Sequence, residues 1–286
     1  MYKLAILGCE NSHADNFLRL ISEGKYPEME VIGIYSNEPE AVRKLHDKYG
    51  TPIMADYGDL AGQVDGVMIT ARHGDNHFLY AKPYLEDGIP MFIDKPITCS
   101  EADAVEFMTV AKQKGLRLCG GSTCAATEQT FALAETVQKT LCGKVRGGSL
   151  ACPYYWDSPY GGFWFYAQHL VEVMTAIFGE EISQVRAVRN GQTMTFTAQY
   201  DGFCVTGTYA EGLKYYNVSV FGADSARNEN LKLTPDSFRH EMDSMLSLLK
   251  GEPMQKSYRS FVAPVFIMSA ILRALESGAW EPVGQL

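Results

Sequence analysis

Short apolar runs alternate with amphipathic runs from Lys3 through Gly120, and that alternation leaves few folds open. The apolar runs fall at 3–8, 31–35, 64–70, 91–93 and 116–120, with a shorter candidate at 52–54. Helical patterns occupy 14–23, 40–49, 78–88 and 101–114, with a short one at 57–60. Strands that read as continuous apolar runs are buried on both faces, as in parallel sheets covered by helices. Strand and helix in strict turn require a crossover each time, and such crossovers are right-handed. The expectation for residues 1–121 is therefore an α/β domain built on a Rossmann-type, doubly wound parallel sheet.

From Gly121 the pattern changes. A helical pattern at 128–140 precedes a strand-like run at 145–155, and a second helix ends near Phe178. Strand-like runs at 185–189, 193–200, 203–209 and 215–221 are separated by Asn190-Gly191, Asp201-Gly202 and Glu211-Gly212. Such pairs close hairpins, so these runs read as an antiparallel meander. Helical patterns at 236–249 and 258–277 end the chain. Residues 122–286 are expected to form an α+β domain with an open, mainly antiparallel sheet, serving substrate binding and oligomerisation. One face of that sheet has no evident helical cover, which predicts a homodimer or homotetramer.

Composition narrows the classes of function. A net charge of -9 with no basic stripe argues against nucleic-acid binding. The chain opens on a strand, without a targeting segment, and no long apolar run points to a membrane span. The seven cysteines are odd in number and form no C-x-x-C pair. They read as reduced thiols of a cytoplasmic protein, neither a disulfide frame nor a zinc site.

Charge enters where the apolar run at 91–93 ends, in Asp94-Lys95-Pro96. Strand ends of this kind are where open α/β sheets hold ligands. Pro96 fixes its own backbone and pushes Lys95 out of the helical region, so the lysine's direction is restricted. After the first strand, Gly8-Cys9-Glu10-Asn11-Ser12-His13 stands where a dinucleotide fingerprint reads G-x-G-x-x-G. Only Gly8 is retained, and Glu10 is bulky and of the wrong sign for a pyrophosphate. Asn11 or Ser12 can cap the helix and leave its N-terminus to an anion. Ser36 and Asn37 follow the second strand and favour neither NAD nor NADP. Two histidines, His73 and His77, lie four apart with Gly74 between them. His77 reads as a packed, hydrogen-bonded residue and His73 as a pocket-lining one. The aromatic residues Tyr154, Tyr155, Trp156, Tyr160, Phe163 and Trp164 form either a sugar-stacking platform or a core edge.

These features together resemble the Gfo/Idh/MocA oxidoreductases. The family's E-K-P motif has its counterpart in Asp94-Lys95-Pro96, and its D-x-G-x-H-x-x-D stretch in Phe165-Tyr166-Ala167-Gln168-His169-Leu170-Val171-Glu172. The resemblance implies an NAD- or NADP-dependent enzyme oxidising or reducing a sugar, inositol or related polyol. Lys95 would contact the substrate hydroxyl and the nicotinamide ribose, and His169 would exchange the hydroxyl proton. Tyr166, Glu172 and Trp156 would contact substrate, with Glu172 orienting the imidazole. Gly8, Asn11, Ser12, Ser36, Thr70, His73 and Asp94 would line the cofactor site; no metal site is implied. The family's acid four residues before the histidine is Phe165 here, and the segment Gly121-Ser122-Thr123 lacks the arginine common in the family. Those departures support an alternative, a ligand-binding or regulatory protein that kept the fold. A third reading, hydrolysis on a metal held by His13, His73 and His77, needs three loops to converge.

Overall fold

Two sheets organise the chain. The computed structural model describes all 286 residues, Met1–Leu286. The first elements are β1 (Tyr2–Leu7), α1 (Ser12–Ser22), β2 (Met29–Tyr35), α2 (Pro39–Tyr49), β3 (Gly66–Ile69), α3 (Asp75–Ala81), β4 (Met91–Asp94), α4 (Glu101–Gln113) and β5 (Leu118–Gly121). Then follow α5 (Glu128–Gln138), β6 (Val145–Pro153), α6 (Trp164–Phe178), β7 (Gln184–Asn190), β8 (Thr193–Tyr200), β9 (Phe203–Ala210), β10 (Asn217–Gly222) and β11 (Ala226–Asn230). The chain ends with α7 (Arg239–Leu249), α8 (Tyr258–Ser277) and β12 (Glu281–Pro282). Contacts divide it into Met1–Gly121 with Thr234–Phe261, and Ser122–Leu233 with Val262–Leu286.

In the first unit five parallel strands run in the order β2-β1-β3-β4-β5. Every residue of β3 and β4 is buried, as a sheet covered on both faces requires. On one face, Leu4, Ile6, Ile34, Met68 and Phe92 meet Phe17 and Leu20 of α1, Leu45 of α2, and Met242, Met245 and Leu248 of α7. In this unit α1 and α4 start where a side chain holds an open amide. Ser100 accepts from Asp103 N, with Glu101 and Asp103 in the first turn of α4. Residues 52–54 make only an isolated bridge, Ile34 to Ile53, and 57–60 form turns in place of the expected helix. The helix expected over 78–88 begins at Asp75 and passes into a 3-10 turn at Lys82–Tyr84, where Pro83 has no N–H to continue it.

In the second unit seven strands run in the order β11-β10-β6-β9-β8-β7-β12. Neighbours are antiparallel except β6 and β9. The strands alternate buried and exposed positions, so one face carries the core. There Phe196 and Tyr209 meet Leu170, Val171 and Met174 of α6 and Ile267 and Ile271 of α8. β11 and β12 have no counterpart among the strand-like runs of the sequence. α8 is long and apolar enough to cross a membrane by length and composition, against the expectation of no such run. Of that window 61% is buried within the chain, as in a core helix.

Candidate functional site

Gly8 turns the chain out of β1 at φ 96°. A Cβ there would lie 2.2 Å from Ala71 N, so only glycine fits where the two loops cross. Asn11 caps α1, accepting from His13 N at 3.4 Å, and its Nδ2 donates to Asp94 Oδ2 at 2.6 Å. Ser12 Oγ donates to Asn11 Oδ1 at 3.3 Å. Thr70, fully buried after β3, donates through Oγ1 to Gly8 O at 2.9 Å. The loop after β1 is thereby tied to the ends of β3 and β4. With β1 between β2 and β3, it also stands where the strand order reverses, the usual ligand crevice of such sheets.

Glu10 holds the second fingerprint position and is 8% exposed. Its Oε2 accepts from Ser36 Oγ at 2.6 Å and its Oε1 from Arg72 N at 2.9 Å. One carboxylate therefore joins the loops after β1, β2 and β3. The donor set fits a dinucleotide: a glycine turn, a helix N-terminus at the reversal point, and polar groups at the ends of β2 and β3. Dinucleotide sites of this kind hold the ribose with an acid at the end of the second strand, and β2 has none there. Glu10 brings one there.

His13 holds the third fingerprint position, where glycine would let helix and strand approach. Its Nδ1 lies 3.3 Å from Asp94 Oδ2 and its Nε2 3.5 Å from Glu241 Oε2. The rings of Phe17 and Phe238 meet it edge-on. Burial pulls its pKa down, but the Asp94 and Glu241 carboxylates outweigh burial and hold it above the ordinary value. Asp94 is also buried, and its Oδ1 accepts from Lys95 N at 2.7 Å. Lys95 itself is 4% exposed, and the Lys95-Pro96 peptide is cis.

His77 is buried, with Nδ1 2.5 Å from Pro96 O and Nε2 2.8 Å from Ala71 O. Burial lowers its pKa. A neutral ring has one N–H, so it donates to one of these carbonyls at a time. His73 stands half-exposed, its Nδ1 3.7 Å from Asp75 Oδ2. The metal reading through His13, His73 and His77 is not what converges. His73, Asp75 and Cys99 do, with ligand atoms within 4.8 Å of one another and Asp75 exposed.

In the second unit, α6 carries Tyr166, Gln168, His169 and Glu172. His169 Nδ1 lies 2.7 Å from Ser122 Oγ. Ser122 N donates to Glu172 Oε2 at 2.8 Å, and Gln168 Nε2 donates to the same oxygen at 3.0 Å. Glu172 thus reaches the imidazole through Ser122, a residue 47 positions from His169 that the sequence marked only for a missing arginine. The Tyr166 ring is edge-on to His169 at 5.2 Å. The Phe165 ring lies 5.3 Å from that of Tyr160, tilted 43° to it. Trp156 packs on the core of this unit and carries the Arg189 guanidinium 4.1 Å from its ring centroid, which occupies one face of the proposed sugar platform.

Residues 2–122 match the GFO_IDH_MocA family, an oxidoreductase family with an NAD-binding Rossmann fold. A stretch of 50 residues is 42% identical to the uncharacterized oxidoreductase YhhX of Escherichia coli (strain K12), spanning 18% of this chain and only 14% of that protein. The scyllo-inositol dehydrogenase of Lactobacillus casei, solved with bound NAD(H) and scyllo-inositol, has a TM-score of 0.85 over 99% of each chain at 15% identity. The myo-inositol dehydrogenase of Corynebacterium glutamicum ATCC 13032 has a TM-score of 0.84 over 100% of each chain at 13% identity. At such identities the likeness is one of fold. Residues 2–122 thus match the NAD-binding Rossmann fold of the Gfo/Idh/MocA oxidoreductases, and the whole chain shares its fold with the inositol dehydrogenases.

Proposed function

We propose that the protein is an NAD(P)-dependent oxidoreductase acting on a secondary alcohol of a sugar, inositol or related polyol. The observation that carries this reading is Lys95 at the end of β4, its backbone fixed by Asp94, in a domain of an NAD-binding oxidoreductase family. Gly8, Asn11 and Ser12 would hold the cofactor's pyrophosphate at the α1 N-terminus, with Ser36 and His73 at the neighbouring strand ends. Thr70 and Asp94 act by locking the glycine turn and the α1 cap. The nicotinamide, when bound, supplies the hydride acceptor or donor.

Lys95 steadies negative charge on the substrate oxygen, and His169 takes or returns the hydroxyl proton. Ser122 at Nδ1 sets the imidazole's orientation and makes Nε2 the atom that exchanges the proton. Tyr166 borders the histidine, and Glu172 acts through Ser122. Trp156 would contribute its remaining ring face. Turnover of a polyol panel with NAD and NADP tests the reading. Lys95→Ala should lower turnover about 100-fold or more in a folded sample. Full activity in that variant would remove Lys95 from the chemistry.

A second reading has its own observation. Phe165 cannot transfer a proton where the resemblance expects an acid. Sugar binding without nicotinamide binding would identify a ligand-binding or regulatory protein.

A further inference from the structure

Within that dinucleotide reading, on which the inference rests, we infer that Glu10 makes the site selective for NAD over NADP. In this kind of sheet, the end of the second strand decides between the two cofactors. An acid there accepts from the ribose 2′-hydroxyl, or an arginine there accommodates the 2′-phosphate. Here β2 ends at Tyr35, and Ser36-Asn37-Glu38-Pro39-Glu40 follows without a basic residue. Ser36 is a neutral hydroxyl, so the sequence at this point favours neither cofactor.

Space supplies what the local sequence lacks. Glu10 lies 26 residues from Ser36 in the chain, yet its Oε2 is 2.6 Å from Ser36 Oγ. The other oxygen is fixed by Arg72 N at 2.9 Å, so the carboxylate is held from two loops. A carboxylate has about four lone-pair sites, and those two donors leave acceptor capacity for a ribose hydroxyl. A 2′-phosphate offers only acceptors and more negative charge, so it meets repulsion without a hydrogen bond. Glu38 and Glu40 add the same sign beyond β2; the first basic residues after them in the chain are Arg43 and Lys44 of α2, and Arg72 follows β3 with its N–H on Glu10. The fingerprint position that should be a glycine has become the acid that β2 lacks.

Calorimetric titration of the purified protein with NADH and with NADPH tests this without turnover. The wild type should bind NADH about tenfold or more tightly than NADPH. Glu10→Gln keeps the shape and removes the charge, and should narrow that ratio to within about threefold, chiefly by tighter NADPH binding. Glu10→Gly, which restores the fingerprint glycine, should narrow it likewise and serves if the glutamine variant folds poorly. Equal affinities in the wild type, or an unchanged preference in both variants, would overturn the inference and leave the dinucleotide site standing. NADH binding gained only when Glu10 is removed would also overturn it, showing a blocking residue instead. Binding of neither cofactor by any folded variant would remove the dinucleotide reading and the inference with it.

Discussion

His13 shows how a single residue departs from a motif and still fits its fold. A histidine replaces the glycine that would bring α1 against the sheet, and its ring lies between two buried carboxylates. Its folded pKa is raised above 6.5, so the stabilisation it gives is fully present below about pH 6.5 and is lost as pH rises through the folded value. The groups facing it are Asp94, Glu241 and, with opposite effect, Lys95. His13→Gln should therefore lose most stability relative to wild type near about pH 6 and least near about pH 9, by urea unfolding. A gap that is constant, or that widens toward alkaline pH, would mean the ring is held by packing alone. At this scale the sequence showed which residues were unusual but not what they touch. Glu10 was legible as a misfit, yet its partners Ser36 and Arg72 lie on other loops, and periodicity carries no information about contacts between loops.

Elements were far more legible than contacts, because burial on both faces writes itself into β3 and β4 as unbroken apolar runs. Where burial is weak, the signal fades. β11 is exposed at all five positions of its Ala-Arg-Asn-Glu-Asn sequence, and Asn217 and Asn228 exchange hydrogen bonds across the pair. No hydrophobic pattern could announce it. α7 fails differently. Its amphipathic pattern reveals that one face is covered but not by which sheet, and Thr234–Phe261 returns to the first unit after the whole meander. Met245, fully buried there, packs in the core cluster that contains Leu4, Met68 and Phe92. Met245→Ala should cost about 2–5 kcal/mol in equilibrium unfolding. A cost well under about 1 kcal/mol would reduce α7 to an appendage, since surface changes fall in that range.

At the scale of the molecule, the outer face of the larger sheet carries the argument for self-association. The outward positions of β8 are Thr193, Thr195, Thr197 and Gln199, and those of β9 are Cys204, Thr206 and Thr208. Across the neighbouring strands they continue as Ser149 and Ala151 of β6 and Ser219 and Phe221 of β10. None is charged. A sheet face solvated in the monomer can carry Lys and Glu freely, whereas the centre of a protein interface is depleted of charge. Phe221 is 43% exposed and Val188 of β7 64%, so apolar side chains also reach this surface. We expect a homodimer or homotetramer formed through this face. Sedimentation at micromolar concentration should give about two or four times the 31.7 kDa chain mass. Thr206→Arg, at the centre of the uncharged field, should shift the protein toward monomer while leaving its far-UV spectrum unchanged. A wild type that sediments as a monomer at that concentration would show that the uncharged face serves something other than self-association.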